Sequence, residues 1–150
     1  NYVITYDSNT ATSGSVPSKT FVASAGSSAT LATNSATLAR AGYTFDGWDT
    51  ARDGSGTKYA AGATYTPTGD ITLYAQWTYT ITYNANGAIS GTAPAAQTII
   101  GDVTTTLAIN PGGLFLTRGV LLGWNTRADG LGTAYPGGQT GFTYDGNALF

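Results

Sequence analysis

Few residues in this sequence could do chemistry, and they are of few kinds. The 150-residue chain has no His and no Cys, and its eight acidic residues are all Asp. Without imidazole or thiol, Ser-His-Asp and Cys-His nucleophile systems are excluded. So are soft metal ligands and disulfides. Glycoside hydrolysis would need two carboxyl groups converging on one bond. Asp46 and Asp49 stand closest, but three places apart in a strand they face opposite sides. The runs Asp53-Gly54-Ser55-Gly56 and Asp129-Gly130-Leu131-Gly132 invite comparison with a calcium loop. An EF-hand site takes oxygens at alternate positions and ends on a bidentate acid. One Asp per loop and no Glu fit a tight turn instead.

Two further chemistries can be weighed in the same way. A Lys–Asn isopeptide crosslink needs Lys beside Asn and a buried acid. The only lysines, Lys19 and Lys58, have Ala96 and Ala134 at the matching places of the second half, so both read as solvated surface residues. Trp48, Trp77 and Trp124 could stack on sugar rings. Equally, one or two Trp can anchor a small core, since each ring buries about 150–250 Å². The Thr-rich stretches read as solvent-facing sheet, because Thr5, Thr72 and Thr82 do not recur at the short fixed period of a flat binding array. The expectation is therefore no enzyme, no cofactor and no metal site.

Composition points the same way. Charged residues make up 9% of the chain, where about a quarter is usual. The formal net charge is −2, which leaves no basic surface for nucleic acid or anionic lipid. No apolar run approaches the length that spans a bilayer, so membrane insertion is not expected. There is no leader-like segment and no initiating Met, so the chain reads as a piece excised from a longer protein. Gly, Ala, Ser and Thr dominate while Glu and Met are absent, a balance that favours strands and turns over helices.

The elements that must position these residues come in two copies. Tyr2–Tyr6 (YVITY) alternates aromatic and β-branched residues and predicts a strand. Thr20–Ala23 and Ala29–Ala32 predict pieces of a second strand, and Tyr43–Asp49 a third. Thr57–Tyr59 with Ala63–Tyr65 forms a fourth, and Ile71–Trp77 (ITLYAQW) a fifth. Asn34–Ala41 followed by Gly42 has an N-cap, helix-tolerant residues and a C-cap glycine, enough for two helical turns. Tyr79–Tyr83 then repeats Tyr2–Tyr6 77 places on, and Trp124 repeats Trp48 76 places on. In the second copy GYTFDGW has become GVLLGW, and the helix-like piece has become Asn110-Pro111-Gly112-Gly113, which cannot hold a helix. Leu149-Phe150 matches Leu73-Tyr74. Trp77-Thr78-Tyr79 joins the copies with no Gly, Pro or Ser tether. A stiff, elongated pair is expected rather than two swinging beads.

The YxITY start, the RAGYTFDGWDTxxDGSGTxY core and the closing DITLYAQW together resemble the Listeria–Bacteroides repeat, the B-repeat of internalin-like bacterial surface proteins. The resemblance spans 1–77 and, in diverged form, 78–150. It implies a small ubiquitin-like β-grasp module repeated in tandem in cell-wall-attached or secreted proteins, with no catalytic residues to transfer.

Fold and function are thus read as mainly β (α+β). Two tandem β-grasp-like repeats, 1–77 and 78–150, would each have a mixed sheet and at most one short helix. Strands one and two should form a hairpin, and strands one and five should be central neighbours. The expected core of the first copy is Ile4, Tyr6, Leu31, Leu38, Tyr43, Phe45, Trp48, Tyr65, Leu73 and Ala75. In the second it is Ile81, Tyr83, Leu107, Leu122, Trp124 and Leu149. The expected function is a non-catalytic extracellular spacer projecting a binding domain from a bacterial cell, its partners being neighbouring repeats of the same chain. The alternative is an adhesive module that binds a host protein or glycan.

Overall fold

The computed structural model describes residues 1–35, 37–117 and 121–142. The chain divides into two compact units, Asn1–Thr78 and the part from Tyr79 onward.

In unit one, β1 (Tyr2–Asp7) turns Ile4 and Tyr6 inward, as its alternation requires. It pairs antiparallel with β2 (Thr20–Val22) on one side and parallel with β7 (Ile71–Ile81) on the other. β4 (Thr44–Asp49) lies antiparallel to β7, and β5 (Lys58–Tyr59) closes the far edge, giving the order β2-β1-β7-β4-β5. The expected hairpin of strands one and two and the central pairing of strands one and five are both present. β3 (Ala29–Thr30) does not continue β2, however. It pairs with β6 (Thr64–Tyr65) in a separate two-stranded ribbon, because the Ala25–Ser28 turn carries the chain out of the first sheet.

The short helix expected over Asn34–Ala41 is not there; no helix occurs among the described residues. The Asn34 side chain competes with a helical backbone for the same groups. Its Oδ1 accepts from Leu38 N at 2.8 Å and its Nδ2 donates to Leu38 O at 2.8 Å. This double clasp closes a loop that lowers Leu38 into the core.

That core gathers Ile4, Tyr6, Val22, Trp48, Leu73, Ala75 and Trp77 from β1, β2, β4 and β7, with Leu31 and Leu38 from the loops between. Tyr43, Phe45 and Tyr65 pack against it half-buried rather than within it. β4 does not alternate simply. A bulge between Phe45 and Trp48 leaves Gly47, Trp48 and Asp49 all buried in succession. Gly47 makes this possible: its φ is +103°, and a Cβ there would lie 2.5 Å from Tyr59 O.

In unit two, Tyr79, Ile81 and Tyr83 are buried. β8 (Gln97–Ile100) pairs with β7, and β9 (Gly123–Asn125) pairs with β10 (Ala134–Pro136) in the register that β4 and β5 have in unit one. Leu107, Leu114, Trp124 and Phe142 complete the interior described. Leu122 is a correction to the sequence reading: it is 87% exposed. It stands at the place of Asp46, and Leu121 takes that of Phe45. Both leucines precede β9, and Leu121 is itself 41% exposed. Leu149 lies outside the described residues.

Leu73 is completely buried between β1 and β4. Leu73→Ala is expected to cost unit one about 2–5 kcal/mol in urea unfolding. Val16→Ala, at a loop position 44% exposed, should stay within about 0.5 kcal/mol of the parent.

Candidate functional site

Both units build the same polar network around one tryptophan. In unit one the Trp48 ring packs on Tyr6 at 4.7 Å between centroids and 54° between planes. In unit two Trp124 packs on Tyr83 at 4.6 Å and 55°. Each indole N–H donates to a loop carbonyl: Trp48 Nε1 to Ala32 O at 2.8 Å, and Trp124 Nε1 to Ala108 O at 2.7 Å. The tyrosine hydroxyl accepts from the amide of that same loop residue, Ala32 or Ala108, at 2.9 Å in both units. The two aromatic polar tips thus satisfy the amide and the carbonyl of one residue. Tyr6 OH also lies 3.1 Å from Thr20 Oγ1, and Tyr83 OH donates to Gln97 Oε1.

The turn after the tryptophan is held the same way. Asp49 Oδ1 accepts from Ala51 N at 2.7 Å and Gly56 N at 3.1 Å. Asn125 Oδ1 accepts from Arg127 N at 2.9 Å and Gly132 N at 3.1 Å. Thr50 and Thr126 hydroxyls each accept a backbone N–H seven residues on, at 2.9 Å. At the tips, Asp53 accepts from Ser55 N at 3.0 Å and Asp129 from Leu131 N at 2.9 Å. The Ser55 hydroxyl, and then its amide, hold the Asp53 carboxyl below the usual carboxylate range. Gly54 and Gly130 take φ of +77° and +75°. Gly56 and Gly132 serve by size instead, because a side chain at either would strike the Thr hydroxyl and the side-chain Oδ1 of Asp49 or Asn125.

A third node was not singled out in the sequence. Asn9 and Asn86 sit at φ of 42° and 45°, a left-handed conformation that Asn tolerates. Each donates its backbone N–H to the side-chain oxygen of Asp7 or Asn84 at 2.8 Å, and each donates Nδ2 across to the turn, to Arg52 O or Ala128 O, at 2.8 Å. The Asn34 clasp on Leu38 likewise recurs as Asn110 on Leu114, at 2.7 and 3.0 Å. Its signal was legible: Asn and Leu stand four apart in both copies, although helix propensity differs sharply between them.

The residues that could have done chemistry are engaged in structure. Asp46 pairs with Lys58 at the surface, and Asp7 with Arg52 at 3.1 Å. Asp70 accepts from Val3 N at 2.9 Å. Asp46 and Asp49 do not converge, since one faces solvent and the other is buried in the turn. All three tryptophans are at most 2% exposed, so none offers a face to a sugar. Among the described residues no three acids group to hold a metal ion.

Two tests follow from this network. Asp49→Asn reproduces the second copy's side chain and keeps the accepting oxygen, so a change within about 1 kcal/mol is expected. Asp49→Ala strips two amides of their acceptor and should cost about 1–3 kcal/mol in denaturant unfolding. Burial raises the hydroxyl pKa of Tyr83, against the Ala108 amide, and burial raises that of Tyr65. A pKa raised on folding means the unfolded chain loses its proton first as pH climbs. The contribution is therefore full below about pH 10 and lost above it. Thermal unfolding midpoints followed from neutral pH upward should hold level to about pH 10 and then fall.

The sequence pattern of the Listeria-Bacteroides repeat domain matches residues 2–76 and again residues 79–148. A protein of Evansella cellulosilytica named as a Gly-rich membrane protein is 34% identical over 150 residues, which is 93% of this chain and 17% of that protein. Another from the same organism, named as a membrane protein, is 46% identical over 78 residues, 51% of this chain and 11% of its own length. The chain therefore spans less than a fifth of either relative. No solved structure matches it. Among the described residues no helix is long and apolar enough to cross a membrane, which says nothing of strands that might do so as a barrel. Matched twice along nearly its whole length, the chain belongs to the Listeria-Bacteroides repeat family of bacterial surface proteins, as two tandem copies.

Proposed function

We propose that the two repeats are a non-catalytic spacer of an extracellular bacterial surface or secreted protein, holding a binding domain away from the cell. One observation carries this reading. What the copies keep is the network that holds each unit together; what they change is the surface. The Trp–Tyr–loop link, the Asn clasp and the Asx turns recur to within about 0.2 Å. Meanwhile exposed Thr12 and Ser55 and half-buried Asp46 become Ile89, Leu131 and Leu122. A ligand site used by every repeat would constrain the surface, whereas a spacer constrains only the scaffold. The parallel β1–β7 pair flanked by antiparallel strands supports a β-grasp-like reading in which a side-chain-clasped loop stands where a helix would be. The tetherless junction Trp77-Thr78-Tyr79 supports stiffness. Small-angle scattering of the chain and of a Gly-Ser-Gly insertion at Thr78 checks this: the parent should be extended and the insertion looser.

The adhesive alternative is favoured by one feature of unit two. Ile89, Phe115, Leu122 and Leu131 are 54–87% exposed, and the first two are joined by the bond from Ile89 N to Phe115 O. Both readings can be tested on one displayed protein. A binding domain carried on the cell by this chain should keep its activity when the chain is replaced by an unrelated spacer of equal length. The chain displayed alone should show no saturable binding to glycan and host-protein panels tighter than about 10 μM. Saturable binding abolished by Leu122→Asp with Leu131→Ser would overturn the spacer in favour of the adhesin.

A further inference from the structure

The strands through which the backbone enters and leaves unit one are neighbours in its sheet and run the same way. β1 begins at Tyr2, and β7 carries the chain past Thr78, the last residue of the unit. They pair in parallel from Ile4–Ile71 to Asp7–Tyr74. In a parallel pair the start of one strand and the end of the other lie at opposite ends of the ladder. A pull on the backbone at Asn1 and beyond Thr78 therefore acts along the strands and slides β1 against β7. The bonds of a parallel ladder are evenly spaced, so they take such a load together and not in turn.

Side chains close this ladder at both ends. At the entry end Asp70, the residue before β7, accepts from Val3 N at 2.9 Å. At the far end the chain just past β1 is bonded to β7 twice through Asn9. Its Nδ2 donates to Ala75 O at 2.7 Å, and its carbonyl accepts from Trp77 Nε1 at 2.7 Å. Asn9 is 8% exposed, and Ala75 and Trp77 are buried, so water does not readily take over these bonds as they stretch. Ile4, Tyr6 and Leu73 shield one face of the ladder between its ends. Asn9 reaches this place in a tight turn closed by Ala11 N donating to Ser8 O at 3.2 Å. Thr10 stands in the same turn at a φ of +69°, an angle costly for a β-branched residue. The bonds around Asn9 thus hold the turn against the preference of its neighbour.

The hairpin of β1 and β2 offers no such resistance. Its strands are antiparallel with Tyr2 facing Val22, so Asn1 and Ala23 lie side by side at one end. β2 is also the edge of the sheet, and a pull between those two residues opens one pair at a time.

We propose that the β1–β7 pair, with its Asn9 and Asp70 ends, is a mechanical clamp that lets unit one carry tension along the chain while folded. That tension reaches the protein in use rests on the spacer reading; the clamp itself depends on topology alone. It is assigned to unit one, where both strands are described.

Optical tweezers test this on the 150-residue chain, because it has no Cys and introduced pairs give unique points of attachment. Asn1→Cys with Thr80→Cys, the first exposed position past Thr78, loads the ladder in shear. Asn1→Cys with Ala23→Cys peels β2 from β1 instead. At one loading rate the first pair should unfold unit one at no less than about twice the force of the second, since forced unfolding reads the barrier along the direction pulled. Asn9→Ala should lower the first force and leave the second unchanged. Equal forces in the two geometries would overturn the clamp and leave the spacer to its own display test. An Asn9→Ala loss of equal size in both geometries would also overturn it, because a merely destabilised unit weakens in every direction.

Discussion

Everything else in each repeat depends on one buried indole whose N–H must find an acceptor. Trp48 and Trp124 are essentially inaccessible to water. An unpaired donor in that setting would cost more than a hydrogen bond returns. The acceptor is a loop carbonyl, and the same loop residue's amide is satisfied by the tyrosine stacked on the indole. One aromatic pair thus fixes the path of a segment that has no regular structure of its own. In unit one β1 supplies Tyr6 and β4 supplies Trp48, so this pair also ties two neighbouring parts of the fold to that loop.

The second constraint is how little charge the chain has to work with. Side chains that would elsewhere pair as ions are replaced by Asn, Thr and Asp acting as backbone mimics. Their bonds are short-range and local, so a loop of seven or eight residues can be pinned without burying an ion pair. Asp49 in one copy and Asn125 in the other do the same work, which shows that the accepting oxygen matters there and the charge does not. The turn glycines divide the labour, with Gly54 allowing the backbone angle and Gly56 clearing the room.

Much of this architecture was legible because strands announce themselves by alternation and tandem copies check one another. The hairpin of β1 and β2, the central β1–β7 pair and the Asp-Gly turns follow from the pattern. The expected helix over Asn34–Ala41 fails for a physical reason that propensity does not weigh: its supposed N-cap spends both side-chain atoms on one residue four places on. Leu122 was misplaced because hydrophobicity in GVLLGW was taken for burial, whereas both leucines before β9 are exposed, at 41% and 87%. Asn9 and Asn86 stayed silent as functional residues because a left-handed Asn in a polar loop looks like any other. Only the structure shows it bridging from the first strand's end to the turn after the tryptophan.

The neutral character of the Trp–Tyr–loop link has a consequence for the medium such a repeat can inhabit. Ionic strength acts on exposed charge pairs and screens them within about 10 Å at 0.1 M. The ion pairs seen here, Asp7 with Arg52, Asp46 with Lys58 and Arg127 with Asp129, all lie at the surface and hold no strand in the core. An indole, a phenol and peptide groups do that holding, and dissolved salt barely affects them. The Trp–Tyr–loop link is therefore expected to hold in brine and in fresh water alike.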